Sequence, residues 1–104
     1  MKMNMNMNEL MKQAQMMQSK MAKIQDELAS ETVEGNAGGG MVRAIFNGQG
    51  EIVSIHIEKE VVSPDDVEML EDLISAAVGD GLRKSKALAS DRMGPIAGGL
   101  GGLF

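Results

Sequence analysis

An α+β fold, ordered α-β-β-β-α around a three-stranded antiparallel meander, is predicted by three observations. Apolar residues recur at alternating steps of four and three between Leu10 and Leu28. Two glycine-rich turns then separate three short segments of strand character. A second apolar stripe opens after Ser63-Pro64-Asp65-Asp66.

The first helix is expected from Asn8 to about Ala29. Leu10, Ala14, Met17, Met21, Ile24 and Leu28 form a seam of period 3.5, which Met3 and Met7 extend upstream. Lys12, Gln13, Gln18, Lys20, Lys23 and Glu27 lie off it. Residues 1–7 are expected to fray. Such a narrow seam either packs inside the protomer or meets a second chain. Burying each of its Leu, Met or Ile side chains stabilises by up to roughly 1.5–3 kcal/mol. A meander has two faces and two edges, and the chain offers only two long helices. A homodimer that covers the seam is therefore the expected solution.

Thr32 to Gly35 reads as a short strand and Asn36 to Gly40 as its turn. Met41 to Asn47 alternates, with Val42, Ala44 and Phe46 on one face and Met41, Arg43 and Ile45 on the other. Asn47-Gly48-Gln49-Gly50 tolerates the positive φ of a tight hairpin. Glu51 to Glu58 alternates again, placing Val53, Ile55 and Ile57 opposite Ile52, Ser54, His56 and Glu58. Short turns between three such segments make a meander.

The second helix is expected from Pro64 to about Asp91. Ser63 can cap it, Pro64 suits its first position, and Asp66 completes a capping-box-like pattern. Val67, Leu70, Leu73, Ile74, Ala77, Val78, Gly81 and Leu82 supply the apolar face. Acids come early and bases late, as the helix dipole favours. Gly94-Pro95 should stop the helix. Residues 94–104 read as a mobile, glycine-rich tail behind a single domain of residues 1–93.

A chain of 104 residues makes one domain with a small core. Phe46 and Phe104 are its only aromatic residues, so aliphatics and methionines must fill that core. There is no Cys, hence no disulfide, thiolate metal site or Cys nucleophile. No apolar run approaches a membrane span, and the Met/Asn-rich start lacks the apolar block of a signal peptide. A soluble cytoplasmic protein is expected.

The motifs exclude more chemistry than they offer. The glycines of Val33-Glu34-Gly35-Asn36-Ala37-Gly38-Gly39-Gly40-Met41-Val42 lead into a strand, whereas a phosphate-cradling loop leads into a helix. His56 is the sole histidine and reads as a solvated strand residue. Asp65-Asp66 and Glu71-Asp72 point apart on a helix and serve its first turns. Met3-x-Met5-x-Met7 resembles a thioether comb for Cu(I), yet no His or Cys supports it. No catalytic residue, metal site or cofactor is expected.

The net charge of −5 does not favour a polyanionic partner, but its distribution matters more. Through Ser30, four lysines against three acids leave about +1. Arg83, Lys84 and Lys86 form a second basic cluster, and most acids lie elsewhere. Lys12, Lys20, Lys23, Arg83, Lys84 and Lys86 are thus the candidate DNA contacts. Without aromatic platforms or a recognition motif, such binding would be phosphate-led and weakly sequence-selective.

A family resemblance points the same way. Asn8-Glu9-Leu10-Met11-Lys12-Gln13-Ala14-Gln15-Met16-Met17 resembles the opening helix of the YbaB/EbfC nucleoid-associated proteins. The Val33-to-Val42 stretch resembles their central signature. Asp66 and Met69-Leu70-Glu71-Asp72-Leu73-Ile74-Ser75-Ala76-Ala77-Val78, followed by Arg83-Lys84, resembles their last helix. The Gly98-Gly99-Leu100 tail is also typical. The resemblance implies a bacterial, tweezer-shaped homodimer in the nucleoid, with projecting helices that bind double-stranded DNA. It implies roles in nucleoid organisation and gene regulation, with recombination or replication proteins as further partners. A protein-interaction module with incidental DNA contact is the alternative. The chain departs from the family pattern in its Met/Asn-rich start and at Gly79 and Gly81.

Overall fold

The computed structural model describes residues 6–100. Its elements are α1 (Met7–Ser30), β1 (Thr32–Ala37), β2 (Val42–Asn47), β3 (Ile52–Ile57), a 3₁₀ turn (Lys59–Val61) and α2 (Val67–Leu100). The strands form one antiparallel sheet of order β1-β2-β3, the expected meander. The molecule is long and narrow, at 72 × 22 × 16 Å.

α1 begins one residue earlier than expected because Asn6 caps it: its Oδ1 accepts from the Glu9 N–H at 2.9 Å. β1 runs two residues further than expected, since Asn36 and Ala37 still pair with Arg43 and Val42. The first turn is therefore Gly38 to Met41. Gly38, Gly39 and Gly40 have φ of 60°, 66° and 91°, a region that suits glycine.

α2 starts three residues later than expected. Pro64 sets a turn, closed by the Asp66 N–H donating to the Ser63 carbonyl at 3.1 Å. Asp66, not Ser63, then caps the helix by accepting from the Met69 N–H at 3.1 Å. The expected stop at Gly94-Pro95 does not occur, and α2 passes through Pro95 to Leu100. A proline deletes one i→i−4 link, and the bonds around it carry the helix on. Residues 94–100 are thus helical rather than an irregular tail. The rest of that expected tail, 101–104, lies outside the described residues, as do Met3 and Met5.

α2 lies across β1 and β2. Val42, Ala44 and Phe46 form the predicted inward face and are buried against Ala77 and Val61. Leu70, Leu73, Ile74, Val78 and Leu82 of α2 surround them. The helix meets the sheet where both surfaces lack side chains. Gly35 sits so close that a Cβ there would lie 2.2 Å from the Ala77 carbonyl oxygen and 2.2 Å from the Gly81 nitrogen. A Cβ on Gly81 would lie 2.5 Å from the Phe46 ring.

β3 departs from strict alternation. The register slips between Ile45 and Phe46, so Phe46 pairs with Ile52 and leaves Val53 as the extra residue. Ile52 therefore joins the face of Phe46 instead of facing away with Ser54 and His56. Ile52, Val53 and Ile55 remain exposed.

Candidate nucleic-acid interface

The β2–β3 turn is the joint on which both helices are mounted. The Gly48 N–H donates to the carbonyls of Leu28 at 2.8 Å and Glu31 at 3.0 Å, which satisfies the end of α1. The Gln49 side chain donates to the Gln25 carbonyl at 2.9 Å, and the Asn47 amide donates to the Ala29 carbonyl at 3.3 Å. From α2, the buried Ser85 hydroxyl donates to the Asn47 carbonyl at 2.7 Å. Leu28 is fully buried in this joint. The linear sequence marks Asn47-Gly48-Gln49-Gly50 as a turn, but not as the socket of a helix.

Beyond the joint α1 is bare. Every residue from Asn6 to Met16 is exposed. Of the seam, Leu28 is buried, Met17 and Ile24 are half-buried, and Leu10, Ala14 and Met21 are exposed. The protomer thus packs the C-terminal end of the seam and leaves Leu10, Ala14 and Met21 open.

Lys12, Lys20 and Lys23 are exposed on this bare helix, and none forms an ion pair among the described residues. Eleven residues separate Lys12 from Lys23, which puts them on one flank about 16 Å apart. Lys86 is exposed too, beside a crevice between the α1 root and α2 that Gln25, Gln49 and Leu82 also line. Arg83 is 74% exposed, with only a 3.9 Å approach to Asp80.

Lys84 differs from the other candidates. Its ammonium lies 3.0 Å from Asp80 Oδ2 and donates to the Glu34 carbonyl at 2.9 Å. The same Asp80 oxygen accepts from the Asn36 N–H at 3.0 Å. Lys84 therefore helps clasp α2 to β1. The Asn36 N–H, and after it the Lys84 ammonium, hold the Asp80 carboxyl below its ordinary value. The sign follows: a carboxyl depressed in the folded state stabilises fully above its unfolded pKa and loses that contribution as pH falls through the folded one. Wild type should therefore melt above Asp80→Asn at neutral pH. That advantage should shrink below the ordinary aspartate value of 3.8 and vanish in stronger acid. Melting curves of both proteins from pH 7 downward would measure it, and an advantage that persists into strong acid would contradict the clasp.

Arg92 is a cation that sequence reasoning missed. It pairs with Glu27 on α1 at 3.8 Å and donates to Glu31, the residue that ends α1. Nothing in the linear pattern links it to those acids.

His56 is exposed and lies 3.0 Å from Glu58, so it sits in a solvated polar ladder with Arg43 and Glu34. Among the described residues, no group of three or more His, Cys, Asp or Glu could hold a metal ion. No described helix is long and apolar enough to cross a membrane.

Residues 2–100 match the model of the YbaB/EbfC DNA-binding family. The chain belongs to that family. It is a DNA-binding family and not an enzyme family. A nucleoid-associated protein of Syntrophobacter fumaroxidans is 56% identical over 90 residues, covering 86% of this chain and 82% of the relative. A nucleoid-associated protein of Chloroflexus aurantiacus is 54% identical over 100 residues, covering 96% of this chain and all of the relative. Among solved structures, the uncharacterized protein HP0035 of Helicobacter pylori matches with a TM-score of 0.75 at 25% identity. That match covers 93% of this chain and 99% of the other. It places the helix–meander–helix fold of this YbaB/EbfC chain among known architectures.

Proposed function

We propose that this chain is a nucleoid-associated protein that binds double-stranded DNA with low sequence specificity as a homodimer, and so organises the nucleoid and regulates genes. One observation carries the reading. Lys12, Lys20, Lys23, Arg83 and Lys86 are exposed on the two helices, and among the described residues no carboxylate comes closer than the 3.9 Å approach of Asp80 to Arg83. Cations held this way are free to meet phosphates, and the sequence carries no recognition-helix motif for base readout. Family membership and the names of the relatives support the same reading.

Support for the homodimer comes from apolar surface that one chain leaves open. Leu10 and Met21 of the α1 seam are exposed, and α2 leaves Ile52, Val53 and Ile55 of β3 uncovered. A second copy would cover such surface and double the number of cations along one duplex.

The test is a salt titration of binding to random-sequence duplex, paired with a mass measurement in solution. Contact with about four to eight phosphates gives a slope of log K against log salt of roughly −4 to −7. A mass of two chains is expected. Binding that ignores salt, or a stable single subunit, would overturn the proposal.

A protein-interaction role is the second reading. It is favoured by exposed Val62, Val67 and Met69 beside acidic Asp66, Glu68 and Asp72. A stoichiometric protein partner in a pull-down, such as a recombination or replication factor, together with no gel shift at physiological salt, would select it.

A further inference from the structure

We infer that Arg92 is a positioning residue for DNA binding: it sets the direction of the α1 arm and does not contact phosphate. This deepens the DNA-binding reading above and rests on it. The backbone joint at Gly48 holds only the last turns of α1, through the carbonyls of Leu28 and Glu31. A helix held only through its end carbonyls can pivot about them, so a side-chain hold on the same last turn is what fixes its direction. Arg92 of α2 supplies that hold. Its Nη1 lies 3.8 Å from Glu27 Oε2, and its Nη2 donates to Glu31 Oε1.

Glu27 lies on the last turn of α1 and Glu31 is the extended residue that ends it, so the guanidinium reaches the root of the arm at two places. The planar fork of arginine suits this two-point hold, where a lysine ammonium would act as a single point. The other oxygen of Glu31, Oε2, is buried without a hydrogen-bond partner. Removal of Arg92 would therefore leave a partly buried carboxylate uncompensated at the root of the arm. Exposed ion pairs add little stability. The consequence of the clamp is orientation, which fixes where Lys12, Lys20 and Lys23 stand relative to Arg83 and Lys86. The hydrogen bond to Glu31, with Glu27 beside it, offsets the charge of Arg92, although it lies on the helix that carries the basic cluster.

The chain has no cysteine, so two introduced ones report the arm cleanly. Spin labels go on Gln13→Cys and Ala87→Cys, both exposed, and labelled chains are diluted with unlabelled ones. The wild-type background should give a narrow distance distribution. Arg92→Glu should broaden it, and adding Glu31→Arg should narrow it again. Affinity for random duplex should follow, falling about fivefold or more in Arg92→Glu and returning to within about twofold of wild type in the charge swap. The salt slope of the swapped protein should equal that of wild type. An unchanged distribution in Arg92→Glu would overturn the clamp. So would a swap that stays weak with a slope shallower by about one unit per chain, the mark of a lost phosphate contact. Absence of duplex binding by wild type would instead sink the DNA reading, and the distance distributions would still decide the clamp.

Discussion

Gly35→Ala should lower the melting temperature by about 12–24 °C. The new methyl would lie 2.2 Å from the Ala77 carbonyl oxygen and 2.5 Å from the Gly81 Cα, and both are backbone atoms. Neither can rotate away, so α2 must lift off β1. Overpacking against backbone costs about 3 kcal/mol, at the upper end for core insertions. A domain of this size shifts by roughly 4–8 °C per kcal/mol. Gly81→Ala should be similarly harmful, because the Phe46 ring it would strike is only 3% exposed and has nowhere to go. Gly79→Ala supplies the contrast. Its Cβ would meet only the Arg83 guanidinium, at 3.4 Å. Alanine at that helical position should stabilise by up to about 1 kcal/mol. Thermal melts of the three variants would show opposite signs within two residues of the same helix. A Gly35→Ala protein as stable as wild type would refute the close approach of helix and sheet.

The largest expected effect on function comes from replacing Lys12, Lys20, Lys23, Arg83 and Lys86 together by alanine. Each lost phosphate contact takes about 0.9 from the magnitude of the salt slope. In a homodimer the substitutions remove two copies of each cation, enough to include all of the roughly four to eight phosphate contacts expected above. Duplex affinity should fall by about 100-fold or more near physiological salt, and the remaining binding should be almost independent of salt. Exposed substitutions of this kind each change stability by about 0.5 kcal/mol or less, so fold and mass should persist. Lys84→Ala should do the reverse. It breaks the clasp to Glu34 and Asp80, lowering the melting temperature while leaving the salt slope of the folded protein unchanged. Titration of the five-fold variant against random duplex, alongside circular dichroism, checks the prediction. Wild-type affinity in that variant would mean that DNA meets a different surface.

Much of the fold is legible in the residues because local rules govern it. The alternation of Val42, Ala44 and Phe46 marks the inward face, and the structure buries all three. The first helix is recognisable from its period alone. Errors arise where two local signals compete. Ser63 and Asp66 both suit a helix cap, and Asp66 takes the role because Pro64 is used in the turn. Gly94-Pro95 reads as a stop, yet the helix tolerates one missing link. The bulge at Val53 leaves no mark in the apolar pattern and moves Ile52 to the other face.

The candidate site is less legible, because the roles of its cations depend on partners distant in sequence. Lys84 and Lys86 look alike in the chain. One is held by a carbonyl fifty residues away, and the other has no ion-pair partner among the described residues. Arg92 escapes notice since its acids belong to the opposite end of the sequence. Gly81 reads as a poor helix residue until Gly35 is seen against it.

The Gly48 joint also has a temporal meaning. α1 ends in carbonyls whose donor lies in the hairpin turn that follows β2, and its arginine clamp comes from α2, later still in the chain. The local hairpins can close early, since their contacts are close in sequence. α1 is thus made before either of its anchors and is fully secured only when both are in place.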